Sequence, residues 1–288
     1  MTTQLSKSAP LTANGTAGQK LNKTPKPKSV LVSVLPPAIV LVLVLTGWSV
    51  LAGTVYGDRN YLLPRPEQVL QAIVENPETL LQGLRITFLE AAAGFALAII
   101  VGFAAAIIMS QSKMLERSLY PYAVLLQTVP VVAVAPIIVL WFGYNQTAVI
   151  VIAFMISVFP ILNNTLLGLL STDRNHRDLF RMHHASRTTE FLQLRLPSAL
   201  PNIFAGLRVS AGLAVVGAIV GEFIIGSGGE EGGLGVKVLF AQSRLATGLL
   251  FAEVLAATLL GFAFFIVVTL LGNRLIKHWH ESALKDDA

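Results

Sequence analysis

The sequence predicts an all-α, polytopic membrane protein with six transmembrane helices and a long cytoplasmic loop between spans four and five. Three observations lead there. Of 288 residues, 54% are hydrophobic and only 13% charged, with a mean hydropathy of +0.68; a soluble domain carries about 25% charged residues. Six apolar runs are long enough to cross a bilayer, which takes roughly 20 residues. The 21 Lys and Arg residues are spread unevenly between alternate loops. The net charge of +5 is therefore read as membrane topology, with no nucleic-acid partner expected. Cysteine is absent, which excludes disulfides and Cys-based zinc or redox sites.

In chain order, residues 1–29 read as a disordered basic cytoplasmic tail, rich in Ser, Thr, Gly, Pro and Lys and without an acidic residue. The apolar run that follows is too long for the core of a signal peptide, and no small-residue cleavage site stands out after it. It reads as a retained anchor. The expected spans are 30–51, 84–109, 119–142, 147–170, 200–225 and 249–271, within a membrane domain of residues 30–276. Residues 277–288 form a cytoplasmic C-terminal tail, where His278, Trp279 and His280 read as an interfacial anchor. Prolines 36, 37, 130, 136 and 160 fall within the runs, where neighbouring helices satisfy the freed carbonyls. Glycines 94, 102, 206, 212, 217, 221 and 261 offer smooth faces for helix packing.

With the N-terminus inside, 16 Lys and Arg residues lie on cytoplasmic segments and 5 on outer ones. Both termini are then cytoplasmic. The outer segment 52–83 carries Val69, Leu70, Ile73 and Val74 at helical spacing after Pro64 and Pro66. It predicts a short amphipathic helix, read as a lid packed on the bundle in preference to a docking surface. The glycine-rich stretch 221–237 lacks the spacing of a phosphate loop: Lys237 is followed by Val238, not by a hydroxyl residue. It is expected to be a flexible outer loop.

Enzyme signatures are missing. No H-E-x-x-H, G-x-S-x-G or Walker A motif occurs, no catalytic residue is expected, and no cofactor is expected on this chain. The adjacent His183 and His184 could be imagined as metal ligands, but no carboxylate–His set completes a sphere, so no metal site is expected. Polar residues inside the spans are costly and tend to face a pathway or another helix. Gln127 and Thr128, just before Pro130, are candidates for the translocation path, with Asn163 and Glu222 beside them. Asn163 and Asn164 could equally tie helices together. Arg85 and Glu90 are left to snorkelling or local pairing.

The central loop, 171–208, reads STDRNHRDLFRMHHASRTTEFLQLRLPSALPNIFAGLR. It is long, Arg-rich and amphipathic, as expected of a segment that folds on the membrane face and meets a partner; an interfacial helix on anionic headgroups is the plainer alternative. This loop resembles the cytoplasmic signature of permeases in binding-protein-dependent ABC importers, an acidic residue, a Gly-Ala-Ser-Arg block and a closing Leu-Pro. Here Asp178, Arg181, the block Ala185, Ser186 and Arg187, and the pair Leu196 and Pro197 take those places. Leu179 and Phe180 stand where small residues are usual, and His184 stands at the glycine, where a positive φ would strain a histidine. The resemblance extends to YPYAVLLQTVPVVAVAPIIVLWFGY at 120–144 and covers nearly the whole chain beyond the tail.

That resemblance implies a coupling-helix loop seated in a separate ABC ATPase, with ATP used by the partner and none bound here. It implies coupling contacts at Asp178, Arg181, His183, His184, Ala185, Ser186, Arg187, Leu196 and Pro197. It also implies a permease homodimer in a bacterial inner membrane, fed by an external solute-binding protein. Within the family the likeness is to importers of nitrate, sulfonates and taurine, or of thiamin-precursor pyrimidines and riboflavin; the Gln-Thr-Val-Pro and Leu-Trp-Phe-Gly-Tyr elements lean to the pyrimidine and flavin branch. A secondary transporter or channel, or a membrane scaffold subunit, is the alternative. A transporter of that kind would need ionisable residues for ion coupling or inverted repeats of broken helices.

Overall fold

A computed structural model of the chain describes residues 30–54, 62–226 and 232–276. The expected tails, 1–29 and 277–288, lie outside the described residues, as does part of the glycine-rich stretch. Every element among the described residues is helical. They are α1 (Val30–Thr54), α2 (Pro66–Glu75), α3 (Pro77–Ser110), α4 (Lys113–Thr128), α5 (Val131–Phe142), α6 (Gln146–Leu170), α7 (Arg174–Met182) and α8 (Arg187–Glu190). A π-helical turn (Phe191–Arg195) leads into α9 (Leu196–Ile225), and α10 (Leu234–Ser243) and α11 (Thr247–Ile276) complete the fold.

The centre is a trio, α3, α6 and α9, packed so closely that glycine is required at the crossings. A Cβ at Gly94 would lie 2.6 Å from the Ala153 Cβ, and one at Gly217 would lie 2.7 Å from the Ala153 Cα. Gly102, Gly206 and Gly221 make similar approaches, whereas Gly212 meets nothing within 4 Å and Gly261 makes ordinary contact with Val215. The small-residue face is thus narrower than the sequence suggests. Around these crossings Val149, Ile152, Ala153, Val215 and Ala218 form the main buried cluster. With lipid outside, tight van der Waals packing of this kind holds membrane helices together.

The same contacts give the direction of each helix. Gly94 faces Ala153 and Gly102 faces Ile161, so α3 and α6 run parallel. Gly206 faces Pro160 and Gly221 faces Val149, so α9 runs against α6; Gly272 faces Phe204 and Gly261 faces Val215, so α11 runs against α9. Because α3 and α6 are parallel, the chain must cross between Ser110 and Gln146. The crossing there is α4 followed by α5, two helices bent by 95° at a short break. The expected single span 119–142 is therefore a broken one. The cause is local: Pro130 disfavours helical geometry at Val129, whose φ of −65° and ψ of 121° are extended. Among the described residues, five unbroken helices and this bent pair are long and apolar enough for six crossings.

One face of the bundle carries α7, α8 and the π turn; we term it the loop face. The opposite, cap face carries α2 and α10. The expected amphipathic helix is α2, begun by Pro66 at its first position. It packs on α11 through Val69 and Ala72, with Ile73 partly covered, while Leu70 and Val74 of the expected stripe point outward. Trp48 joins α1 to this cap: its indole N–H donates to the Pro64 carbonyl at 3.0 Å, and its ring lies 5.7 Å from Phe251. The stretch expected to be a flexible outer loop contains α10 instead, with Leu234, Gly235, Val236 and Lys237 buried.

Candidate functional site

On the loop face a helix–turn–helix is assembled by local chemistry. Asp173 caps α7, its carboxylate accepting from the Asn175 N–H at 2.7 Å. At the other end of α7, His184 adopts φ = 53°. The Ala185 N–H bonds to the Phe180 carbonyl and the His184 N–H to the Arg181 carbonyl, each at 3.0 Å. This pairing is the Schellman termination, which usually takes glycine at the left-handed position. Ser186 then starts α8, its hydroxyl accepting from the Thr189 N–H at 3.1 Å. An ion pair of 2.9 Å between Arg177 and Glu190 ties the two short helices together.

The unit stands on Arg195, which the sequence reading counted only as a cytoplasmic charge. Its guanidinium donates to the Ser110 carbonyl at 3.0 Å and the Leu169 carbonyl at 3.3 Å, at the C-terminal ends of α3 and α6. Those ends leave carbonyls without helical partners and carry partial negative charge, so a buried cation satisfies both. Leu196 and Pro197 open α9 directly after it. A basic residue immediately before a Leu-Pro helix start was the available signal.

Most of the remaining coupling candidates are exposed. Asp178 and Arg181 form a 3.5 Å pair whose side chains are 65% and 66% accessible, a contact of little stabilising worth by itself. Leu179 and Met182 are 49% and 76% exposed beside them. His183, His184, Ser186 and Arg187 are exposed, and Ala185 is half-buried. Among the described residues no group of three His, Cys, Asp or Glu side chains could hold a metal ion.

The path candidates have separate surroundings. Gln127 and Thr128 end α4 at the break, both exposed, with the Thr128 hydroxyl turned onto the Leu125 carbonyl. Asn163 accepts from the Tyr120 hydroxyl at 3.0 Å, and Asn164 donates to the Pro160 carbonyl. Glu222 is buried at the cap face, held by groups far away in the sequence. It accepts from the Thr87 hydroxyl at 2.7 Å and from the Gly235 N–H, while Thr87 accepts from the Leu234 N–H at 2.8 Å. These bonds fasten the start of α10 into the bundle, and a side chain at Gly233 would collide with the Glu222 carboxylate. Glu90 lies within hydrogen-bonding reach of Glu222, and Arg85 is exposed.

Residues 83–277 match the family described as the binding-protein-dependent transport system inner membrane component. The chain belongs to this family. It is a multi-pass inner-membrane protein and the translocation subunit of an ABC importer, not a catalytic enzyme. The match includes α7, α8 and the π turn as well as the five crossings from α3 onward. Among relatives, the formylaminopyrimidine transport permease protein ThiX of Halalkalibacterium halodurans is 36% identical over 199 residues, covering 69% of this chain and 78% of that one. The nitrate import permease protein NrtB of a Synechocystis species is 30% identical over 230 residues, covering 75% and 82%. The riboflavin transport system permease protein RibX of Chloroflexus aurantiacus is 37% identical over 137 residues, 48% of this chain and 50% of that one. In fold, an amino acid ABC transporter solved as a crystal structure with histidines matches with a TM-score of 0.54 at 16% identity, covering 72% of this chain and 97% of that chain.

Proposed function

We propose that two copies of this chain form one translocation path and that the loop face, with both termini, is cytoplasmic. Asp178, Arg181, His183, His184, Ala185, Ser186 and Arg187 meet a separate ATPase subunit, and Leu196 and Pro197 pass its movement into α9. An external solute-binding protein delivers substrate to the cap face. ATP binding to the partner shifts the permease between two states by differential affinity, without chemistry on this chain. Gln127, Thr128 and Asn163, along the broken crossing and its neighbour, line the path, with Glu222 beside α10.

The observation that carries this reading is the build of the loop-face unit. Its contact side chains other than Ala185 are exposed, as are the apolar Leu179 and Met182, while its base is fixed to two core helices through Arg195. A rigid base with an uncovered apolar and charged face suits a lever worked by a partner. For substrate we propose a pyrimidine- or flavin-type nutrient first, because the relatives named for such solutes match at higher identity; a sulfonate, nitrate or taurine is second.

The native chain has no cysteine, so single-cysteine labelling is clean. Met182→Cys should react with a membrane-impermeant maleimide only in inside-out vesicles and be protected when the ATPase is bound. Gln71→Cys, on α2, should react only in right-side-out vesicles. Labelling of Met182→Cys from the outside, or without protection by the ATPase, would contradict the assignment.

A further inference from the structure

At the cap face a cavity of about 410 Å³ lies between the start of α3, the body of α10 and the start of α11. Its size is that of a small-molecule site, which runs from about 300 to 1,000 Å³. Its walls are mixed: Gln82 from α3, Lys237 and Phe240 from α10 with Arg244 just after it, and Leu249 and Glu253 from α11. Two of these are charged groups taken almost wholly out of water, Glu253 at 1% exposure and Lys237 at 4%. Lys237 is held in place, its ammonium donating to the Gln82 amide oxygen at 3.3 Å. Glu253 is different. Its Oε2 atom is buried and accepts no hydrogen bond. A buried carboxylate oxygen without a donor is costly, and native structures satisfy nearly all such groups.

We propose that this cavity is an outer subsite for a small solute bearing an amino group, which donates N–H to Glu253 and turns an acceptor pole toward Lys237. The proposal rests on the transport reading and on the cap face being external. Its chemistry is selective. A cation alone would meet the Lys237 ammonium, and a simple anion without an N–H would meet the Glu253 carboxylate while leaving Oε2 unsatisfied. An amino group beside a ring nitrogen, or beside a sulfonate, meets both requirements. Phe240 supplies a partly covered aromatic wall against which a planar ring can lie. The site is also preorganised: Thr87 and Glu222 pin the first turn of α10, one turn before Lys237.

The test uses the complete complex, permease with its ATPase, in lipid nanodiscs for calorimetry, and in proteoliposomes with the solute-binding protein added for ATP-driven uptake. The probes are 4-amino-2-methylpyrimidine, taurine and nitrate. Wild type should bind one of the two amino probes, and which one binds identifies the source of the amino group. Glu253→Gln should weaken that binding about tenfold or more, as expected for losing a hydrogen bond to a charged group. Phe240→Leu should weaken the pyrimidine more than taurine, and nitrate should not compete. Binding unchanged in Glu253→Gln, competition by nitrate at equal strength, or no binding of either amino probe would overturn the subsite. The two failures are distinguishable. If ATP drives uptake equally in wild type and Glu253→Gln, transport stands and the subsite is wrong; if no solute is taken up by wild type, the transport reading itself fails.

Discussion

At His184 the backbone takes a left-handed turn that glycine would take with less strain. The left-handed region costs an L-residue about 1–2 kcal/mol, and here the two Schellman bonds and the cap at Ser186 hold it there. His184→Gly should therefore stabilise the loop-face unit by about 1 kcal/mol, read as a higher unfolding midpoint of the purified protein. A lower midpoint would show that the imidazole makes a compensating contact. That histidine stands where glycine is usual was legible from the sequence, and so was the conformation it would need. Arg195 was not. Its role depends on two carbonyls, at Ser110 and Leu169, that come together only when α3 and α6 pack in parallel.

Among the elements, the broken crossing departs most from expectation. Hydropathy reports whether a run is soluble in lipid, and α4 with α5 passes that test as one span; it says nothing about direction within the membrane. Pro130 was visible, but proline is tolerated in straight membrane helices when neighbours re-satisfy the backbone, so its presence alone did not give a 95° bend. Spin labels at Arg117→Cys and Leu140→Cys measure that bend. At 1.5 Å per residue, a straight helix would separate the two positions by roughly 35 Å, and the bent pair by roughly 22 Å. A distance near the longer value would contradict the break. α10 was missed for another reason. The sequence leading into it is glycine-rich and polar, and its first turn is held by Thr87 and Glu222, at separations of 147 residues for Leu234 and 13 for Gly235. The apolar spans, by contrast, were legible to within a few residues of their inner portions because each satisfies its own backbone bonds.

For the whole molecule, the fold divides labour between two ends joined by α3, α6, α9 and α11. The cap face holds α2, α10 and the polar cavity, and the loop face holds a rigidly based, uncovered helix pair. Movement of that pair has a short mechanical route, since Arg195 grips the ends of α3 and α6 and α9 begins at the next residue. The central claim is that this route links a partner's ATP hydrolysis to transport. The most direct measurement is substrate-stimulated ATP hydrolysis by the reconstituted complex carrying Arg181→Glu together with His184→Pro. Proline's φ near −65° cannot meet the 53° of His184, and the reversed charge alters the exposed face of α7. The account predicts that the protein still inserts and basal ATP hydrolysis persists while substrate stimulation is lost. Stimulation at the wild-type level would contradict it.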